Sequence, residues 1–137
     1  MRINESSENY LETILVLKNK KGSVRSIDVA NELGFTKASV SVAMKRFVED
    51  GFVVRDESGN LTLTPKGIEV AEKVYERHKV LSELFITIGV DEETALEDSC
   101  RIEHCLSDIT FEKIKEHIEV FRDLKNNVSQ NEIHYFL

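Results

Sequence analysis

Pro65 is the only proline among 137 residues, and it stands in Leu63-Thr64-Pro65-Lys66-Gly67. Proline is favoured at the first position of a helix, where its missing N–H removes no hydrogen bond, and a threonine before it can cap that helix. The same point divides the charge. Up to Gly67 there are ten basic and nine acidic residues, a balance of +1; beyond it there are eight and sixteen, a balance of −8. Two domains of opposite electrostatic character are implied, at 1–64 and 65–137. As an average, the net charge of −7 argues against a partner as anionic as nucleic acid. The near-neutral first part removes that objection locally. The length excludes a large multidomain enzyme, and the 41% hydrophobic content excludes disorder throughout.

The first part predicts a helix capped by Ser6 or Ser7, with Tyr10, Leu11, Ile14, Leu15 and Leu17 at helical spacing and Asn9, Glu12, Thr13 and Val16 on the opposite face. A short helix over Ser26–Leu33 follows, burying Ile27, Ala30 and Leu33, and Gly34-Phe35 breaks it. Thr36 then caps a helix that buries Val40, Met44 and Phe47 and stops at Gly51. Two short helices across a glycine-containing turn form a helix-turn-helix pattern. Phe52–Arg55 and Asn60–Leu63 are β-prone runs around Asp56-Glu57-Ser58-Gly59, a hairpin pattern. The order predicts a winged helix whose second short helix enters the major groove of double-stranded DNA. The DNA-facing set is Arg25, Ser26, Thr36, Lys37, Ala38, Ser39, Ser41, Lys45, Arg46 and Arg55. The cations would mainly meet phosphate, and Ser39, Ser41 and Lys37 base edges. So few cations should bind weakly as a monomer, which favours a homodimer on a palindromic operator.

The second part predicts a helix from Pro65 to about Ile88. One stripe carries Val70, Val74, Leu81, Leu84 and Ile88, and a neighbouring one Ala71, Tyr75, His78, Ser82 and Phe85. Asp91 caps a second helix through Ala95, Leu96, Ile102 and Leu106; a third, from Asp108 or Thr110, carries Phe111, Ile114, Ile118 and Phe121. The fold class is therefore mainly α, an N-terminal winged helix-turn-helix followed by an all-helical dimerisation domain. No apolar run is long enough to cross a bilayer, and MRINESSENY lacks the features of a secretory signal, so a cytoplasmic protein without membrane attachment is expected. Cys100 and Cys105, read as lying on one helix, are ill placed for a disulfide, which leaves free thiols or a metal ligand.

Cys100-Arg101-Ile102-Glu103-His104 is the most chemical stretch. Spacings of three and four put a thiol, a carboxylate and an imidazole on one helical face, where one divalent cation could bind all three. Alternatively, Cys100 packs as a small hydrophobe and the other two meet solvent. His78 is equally open to a core or a ligand role, and Asn9 and Glu12 to a plain polar face.

Together these segments resemble the metal-dependent transcriptional regulators that include the diphtheria toxin repressor and the manganese transport regulator. The resemblance runs from Glu8-Asn9-Tyr10-Leu11-Glu12-Thr13-Ile14 through the helix-turn-helix, Leu63-Thr64-Pro65-Lys66-Gly67, Arg77-His78 and Ile88-Gly89-Val90-Asp91 to Cys100-Arg101-Ile102-Glu103-His104-Cys105-Leu106-Ser107. It implies a regulatory metal whose ligands correspond to Asn9, Glu12, His78, Cys100, Glu103 and His104. Cys100 matches the iron-responsive branch, where the manganese-responsive branch has a carboxylate; Glu12 and His78 fit the manganese branch. Asn9 departs from both, offering an amide oxygen where those branches have a thioether or a carboxylate. Ser82 and Leu96 replace the ligands of the iron branch's ancillary site, and a short form without the extra carboxy-terminal domain is expected.

A thiolate beside imidazole and carboxylates is a soft donor set, which favours Fe(II), Co(II), Ni(II) or Zn(II) over Mn(II). Fe(II) is the expected effector and Mn(II) the second choice. The expected function is a repressor of metal homeostasis in which the metal, as co-repressor, orders the dimer so that two recognition helices stand about one DNA turn apart, roughly 34 Å. A small organic substrate is not expected, nor an enzymatic activity. Two rivals remain: a metal-independent winged-helix regulator with Cys100 and Cys105 as a thiol redox sensor, and, more distantly, a small metalloenzyme built on Cys100, Glu103 and His104.

Overall fold

Asn4, rather than Ser6 or Ser7, caps the first helix: its Oδ1 accepts the N–H of Ser7 at 2.9 Å. Ser7 itself is buried on that helix, so its hydroxyl is on the core side and not at the cap. The computed structural model describes residues 4–127, so the outermost residues of the two expected domains, 1–3 and 128–137, lie outside the described residues. The elements are α1 Glu5–Lys21, α2 Ser26–Leu33, α3 Lys37–Glu49, β1 Val53–Arg55, β2 Leu61–Leu63, α4 Pro65–Thr87, α5 Glu92–Ile102 and α6 Asp108–Asn127. The chain is mainly helical, with one small antiparallel hairpin.

Two compact units divide within α4, between Tyr75 and Glu76. The first turns of α4 belong to the first unit because Ala71 is fully buried in its core. That core gathers Leu11 and Ile14 of α1, Val29 of α2, Val40, Met44 and Phe47 of α3, and Leu61 of β2. Phe47 stands edge-on between Tyr10 and Phe52, at 5.8 and 6.3 Å between ring centroids, a geometry that adds to simple burial. Thr36 accepts the N–H of Ser39 at 3.1 Å and starts α3 as its type predicts. In α2 the buried residues are Val29 and Ala30; Ile27 is 39% exposed and Leu33 half-buried. A helix barely two turns long allows more than one apolar stripe, and here packing selects the one through Val29.

β1 and β2 pair with Val53 opposite Leu63 and Arg55 opposite Leu61. Asp56 accepts the N–H of Asn60 at 2.9 Å across the turn, and Gly59 takes a positive φ of 85° there. On its far side β2 meets the segment before α2: the Leu61 N–H donates to the Val24 carbonyl at 2.7 Å, and Arg25 bridges Asn60. The Leu63–Gly67 stretch then anchors α4. The Thr64 hydroxyl donates to the Gly51 carbonyl at 2.6 Å and accepts the N–H of Gly67 at 3.2 Å. Lys66 lies 4.2 Å from the centroid of the Phe52 ring and donates to the Asp50 carbonyl at 3.2 Å.

In the second unit the rest of α4 packs with α6 around Val80, Phe111 and Ile118, flanked by Leu84 and Ile114. Glu83 of α4 binds Arg122 of α6, whose Nε donates at 2.8 Å, and Glu76 pairs with Lys115. Ile88, expected on the buried stripe, is 69% exposed, because α4 stops at Thr87 and Gly89, with a φ of 105°, turns the chain away. Asp91 caps α5 by accepting the N–H of Thr94 at 2.9 Å. That helix buries Ala95 and Ser99, leaves Leu96 exposed, and ends at Ile102 instead of continuing through Leu106. Cys105 consequently sits in the turn beyond the helix that holds Cys100. The Ser107 hydroxyl accepts the N–H of Thr110 at 3.1 Å and starts α6.

Candidate metal centre and nucleic-acid interface

Within the second unit, α4 supplies His78 and the end of α5 supplies Cys100, Glu103 and His104. Glu103 is the C-cap of α5 with helical φ and ψ of −57° and −28°, and its N–H donates to the Ser99 carbonyl at 3.1 Å. The single helical face expected for Cys100, Glu103 and His104 is therefore cut short, since His104 already lies in the turn. His78 Nδ1 is 3.2 Å from Glu103 Oε2 and 3.6 Å from Cys100 Sγ, and His104 Nε2 is 3.3 Å from Glu103 Oε1.

The Glu103 side chain is 1% exposed and that of His104 4%. A carboxylate so buried requires donors or a counter-charge. Two imidazole nitrogens stand against its two oxygens, each able to donate in the matching tautomer. His78 thus meets both the Cys100 sulfur and the Glu103 carboxylate, whose other oxygen meets His104; sulfur, imidazole and carboxylate are the donor types that hold a divalent transition metal, so these residues fit the ion the resemblance implies. Asn9 and Glu12 lie one turn apart on α1, both half-buried, in the first unit.

A cavity of about 420 Å³ borders His78 and is lined by Ser82, Ile86, Leu96 and Phe121. The Ser82 hydroxyl lies 2.7 Å from the His78 carbonyl and 2.9 Å from Ser99 Oγ, and the carboxylate on the cavity wall, Glu83, is held by Arg122.

In the first unit, α3 buries Val40, Met44 and Phe47 and turns Lys37, Ala38, Ser39, Ser41, Lys45 and Arg46 to solvent. Thr36 donates its hydroxyl hydrogen to Ser39 Oγ at 2.9 Å, so Thr36 is committed to the cap while Ser39 keeps a hydrogen to donate. Ser26 is half-buried in the first turn of α2. Arg55 is exposed in the hairpin and shares a shallow surface depression with Lys45, Val48 and Glu49. Arg25 is exposed; its N–H donates to Asp28 at 2.9 Å and its guanidinium packs on Gly59 at the hairpin tip. Val42, absent from the expected set, is 63% exposed on the outward face of α3. Its spacing from Ala38, Ser39, Lys45 and Arg46 could have revealed it.

Residues 2–60 match the sequence model of the iron dependent repressor N-terminal DNA binding domain, and residues 64–126 that of the iron dependent repressor metal binding and dimerisation domain. A winged helix joined to such a domain defines a metal-dependent, DNA-binding transcriptional regulator, not an enzyme. The chain belongs to the iron-dependent repressor family, which sets aside the metalloenzyme alternative. An HTH-type transcriptional regulator of Methanocaldococcus jannaschii is 34% identical, the match covering 88% of this chain and 98% of that protein. The HTH-type transcriptional regulator MntR of Bacillus subtilis is 31% identical, covering 94% of this chain and 96% of that one. Among solved structures, IdeR of T. acidophilum superposes with a TM-score of 0.75 at 23% identity, covering 87% of this chain and 55% of that one. Among the described residues no helix is long and apolar enough to cross a membrane.

Proposed function

We propose that this chain is a metal-activated repressor of metal-homeostasis genes, with Fe(II) as first-choice co-repressor and Mn(II) as second. The observation that carries this reading is the Cys100 thiol 3.6 Å from His78 Nδ1, beside the buried Glu103 carboxylate. His78, Cys100, Glu103 and His104 hold the ion, and Glu12, with Asn9 as the weakest donor, joins them from the DNA-binding unit; that part rests on the family resemblance. When bound, the ion supplies positive charge that offsets Glu12, Glu103 and the Cys100 thiolate. Sulfur in the set favours Fe(II), whereas some solved relatives are named as manganese regulators and the matching family descriptions name iron.

Lys45, Arg46, Arg25 and Arg55 set affinity on phosphates; Ser39, Ser41 and Lys37 face base edges. Two copies, joined through the second domain, place two α3 helices on the half-sites of a palindromic operator. Exposed Ile86, Ile88, Ile109 and Val120 give the second unit apolar surface suited to that pairing. The test is an anaerobic titration of apo protein and operator DNA with Fe(II), Mn(II), Co(II), Ni(II) and Zn(II). Tightening by Fe(II) or Mn(II) is expected; if no metal tightens binding, the reading is wrong.

A further inference from the structure

Arg77 is the most buried charged side chain next to the candidate centre that the proposed function leaves unused. It is 7% exposed, and a guanidinium cannot escape burial by losing its proton, so acceptors must meet it. All of them lie in one stretch. Nη1 donates to the Glu103 carbonyl at 3.1 Å and to the Leu106 carbonyl at 2.7 Å. Nη2 pairs with the Asp108 carboxylate, and the guanidinium carbon stands 5.1 Å from the Phe111 ring centroid. Nε has no hydrogen-bond partner among the described residues, so the two terminal nitrogens do the holding.

The last carbonyls of a helix lack partners within it, and a cation there meets the negative end of the helix dipole. Arg77 thus closes the open end of α5. The residues it brackets, 103 to 106, include Glu103 and His104, and its ion pair reaches the first residue of α6.

We propose that Arg77 is a positioning residue for the metal centre: through the Glu103 carbonyl it fixes the last turn of α5 and thereby sets where Glu103 and His104 present their donor atoms. This rests on the metal reading above. Position and charge predict opposite signs. A fixed cation beside a divalent ion repels it, so if charge alone mattered, removing Arg77 would tighten metal binding and Arg77→Lys would leave it unchanged. If positioning matters, Arg77→Lys weakens binding, because a single ammonium on a flexible stem cannot reproduce a planar fork spanning two carbonyls and a carboxylate.

The experiment titrates the full chain anaerobically with Co(II) alone, reading the thiolate-to-cobalt absorption and the ligand-field bands, with circular dichroism and thermal melts of the apo forms alongside. Wild type should bind with a thiolate band. Arg77→Lys should bind about tenfold or more weakly, the scale on which partners that orient metal ligands act, with altered ligand-field bands. Wild-type affinity and spectrum in Arg77→Lys would overturn the proposal. If that variant fails to fold, Asp108→Asn decides: weakened Co(II) binding supports Arg77, and unchanged binding overturns it. Wild type giving no thiolate band sinks the metal reading itself, an outcome distinct from wild type binding while both variants bind equally well.

Discussion

A Cβ placed on Gly67 would stand 2.2 Å from the carbonyl oxygen of Phe52, closer than real Cβ atoms come to a neighbour. The oxygen is backbone and already accepts the Thr64 N–H at 3.0 Å, so it cannot swing aside. In an open helical position, replacing glycine by alanine gains up to about 1 kcal/mol. Here the sign reverses. Gly67→Ala should destabilise the first unit by about 1–3 kcal/mol, the usual range for overpacking, and urea unfolding measures it. A stabilised variant would show that the close approach relaxes freely.

Cys100 is exposed, so Cys100→Ser should leave the apo fold within about 0.5 kcal/mol of wild type. Its effect should fall on the metal. Binding of Fe(II) and Co(II) should drop by at least about tenfold, since even a ligand's outer hydrogen-bond partner carries that much. Because the hydroxyl is a harder donor, the relative response should move toward Mn(II). Operator binding titrated with each metal checks both statements, and an unchanged ranking of metals would remove Cys100 from the ligand set.

Lys45 is exposed on α3 next to Arg55 of the hairpin. A cation that meets phosphate carries affinity and little sequence information. Lys45→Ala should weaken binding to operator and to unrelated DNA alike. The slope of log affinity against log salt should shrink by about 0.9 for each phosphate no longer neutralised. Binding measured between low and moderate salt would show this; a variant that alters sequence preference but not the slope would make Lys45 a base reader instead.

Arg122 hydrogen-bonds Glu83 and holds its carboxyl below the ordinary value of 4.5. A group whose folded pKa is lowered stabilises the fold above its unfolded value and stops doing so as pH falls through the folded one. The difference in melting temperature between wild type and Glu83→Gln should therefore be present at pH 7 and shrink as the pH falls below 4.5, through the lowered folded value. Both side chains are partly exposed, so the effect should stay under about 1 kcal/mol. A difference that grows on acidification would contradict the assignment.

Local chemistry was legible in the sequence where it acts within a few residues. Thr36, Thr64 and Asp91 announce their helices, and the spacing of Val40, Met44 and Phe47 identifies the inner face of α3. Choices made by distant packing were not legible. Val29 is buried in place of Ile27, and Val80 lies in a core where Ile88 was expected. Nothing in the sequence singles out Arg77 beyond its place beside His78, because its acceptors lie 26 to 31 residues away. The Cys100-Glu103-His104 spacing was read on a continuous helix, but that helix stops one residue before Glu103. Closeness there needed only the last turn of α5, not a continued face.

The pairing of β2 with Val24 and Arg25 gives the hairpin a third strand's worth of support that its own three-residue strands lack. An isolated two-stranded ribbon is marginal in water. Because Leu61 is fully buried and its amide is held by the Val24 carbonyl, opening the hairpin also uncovers the entry to α2. The amide hydrogens of Leu61 and of α3 should then exchange with solvent at a common rate limit. A common limit would mean that the arm that carries Arg55 and the helix that carries Lys45 open as one cooperative body, and not as a flap on a base.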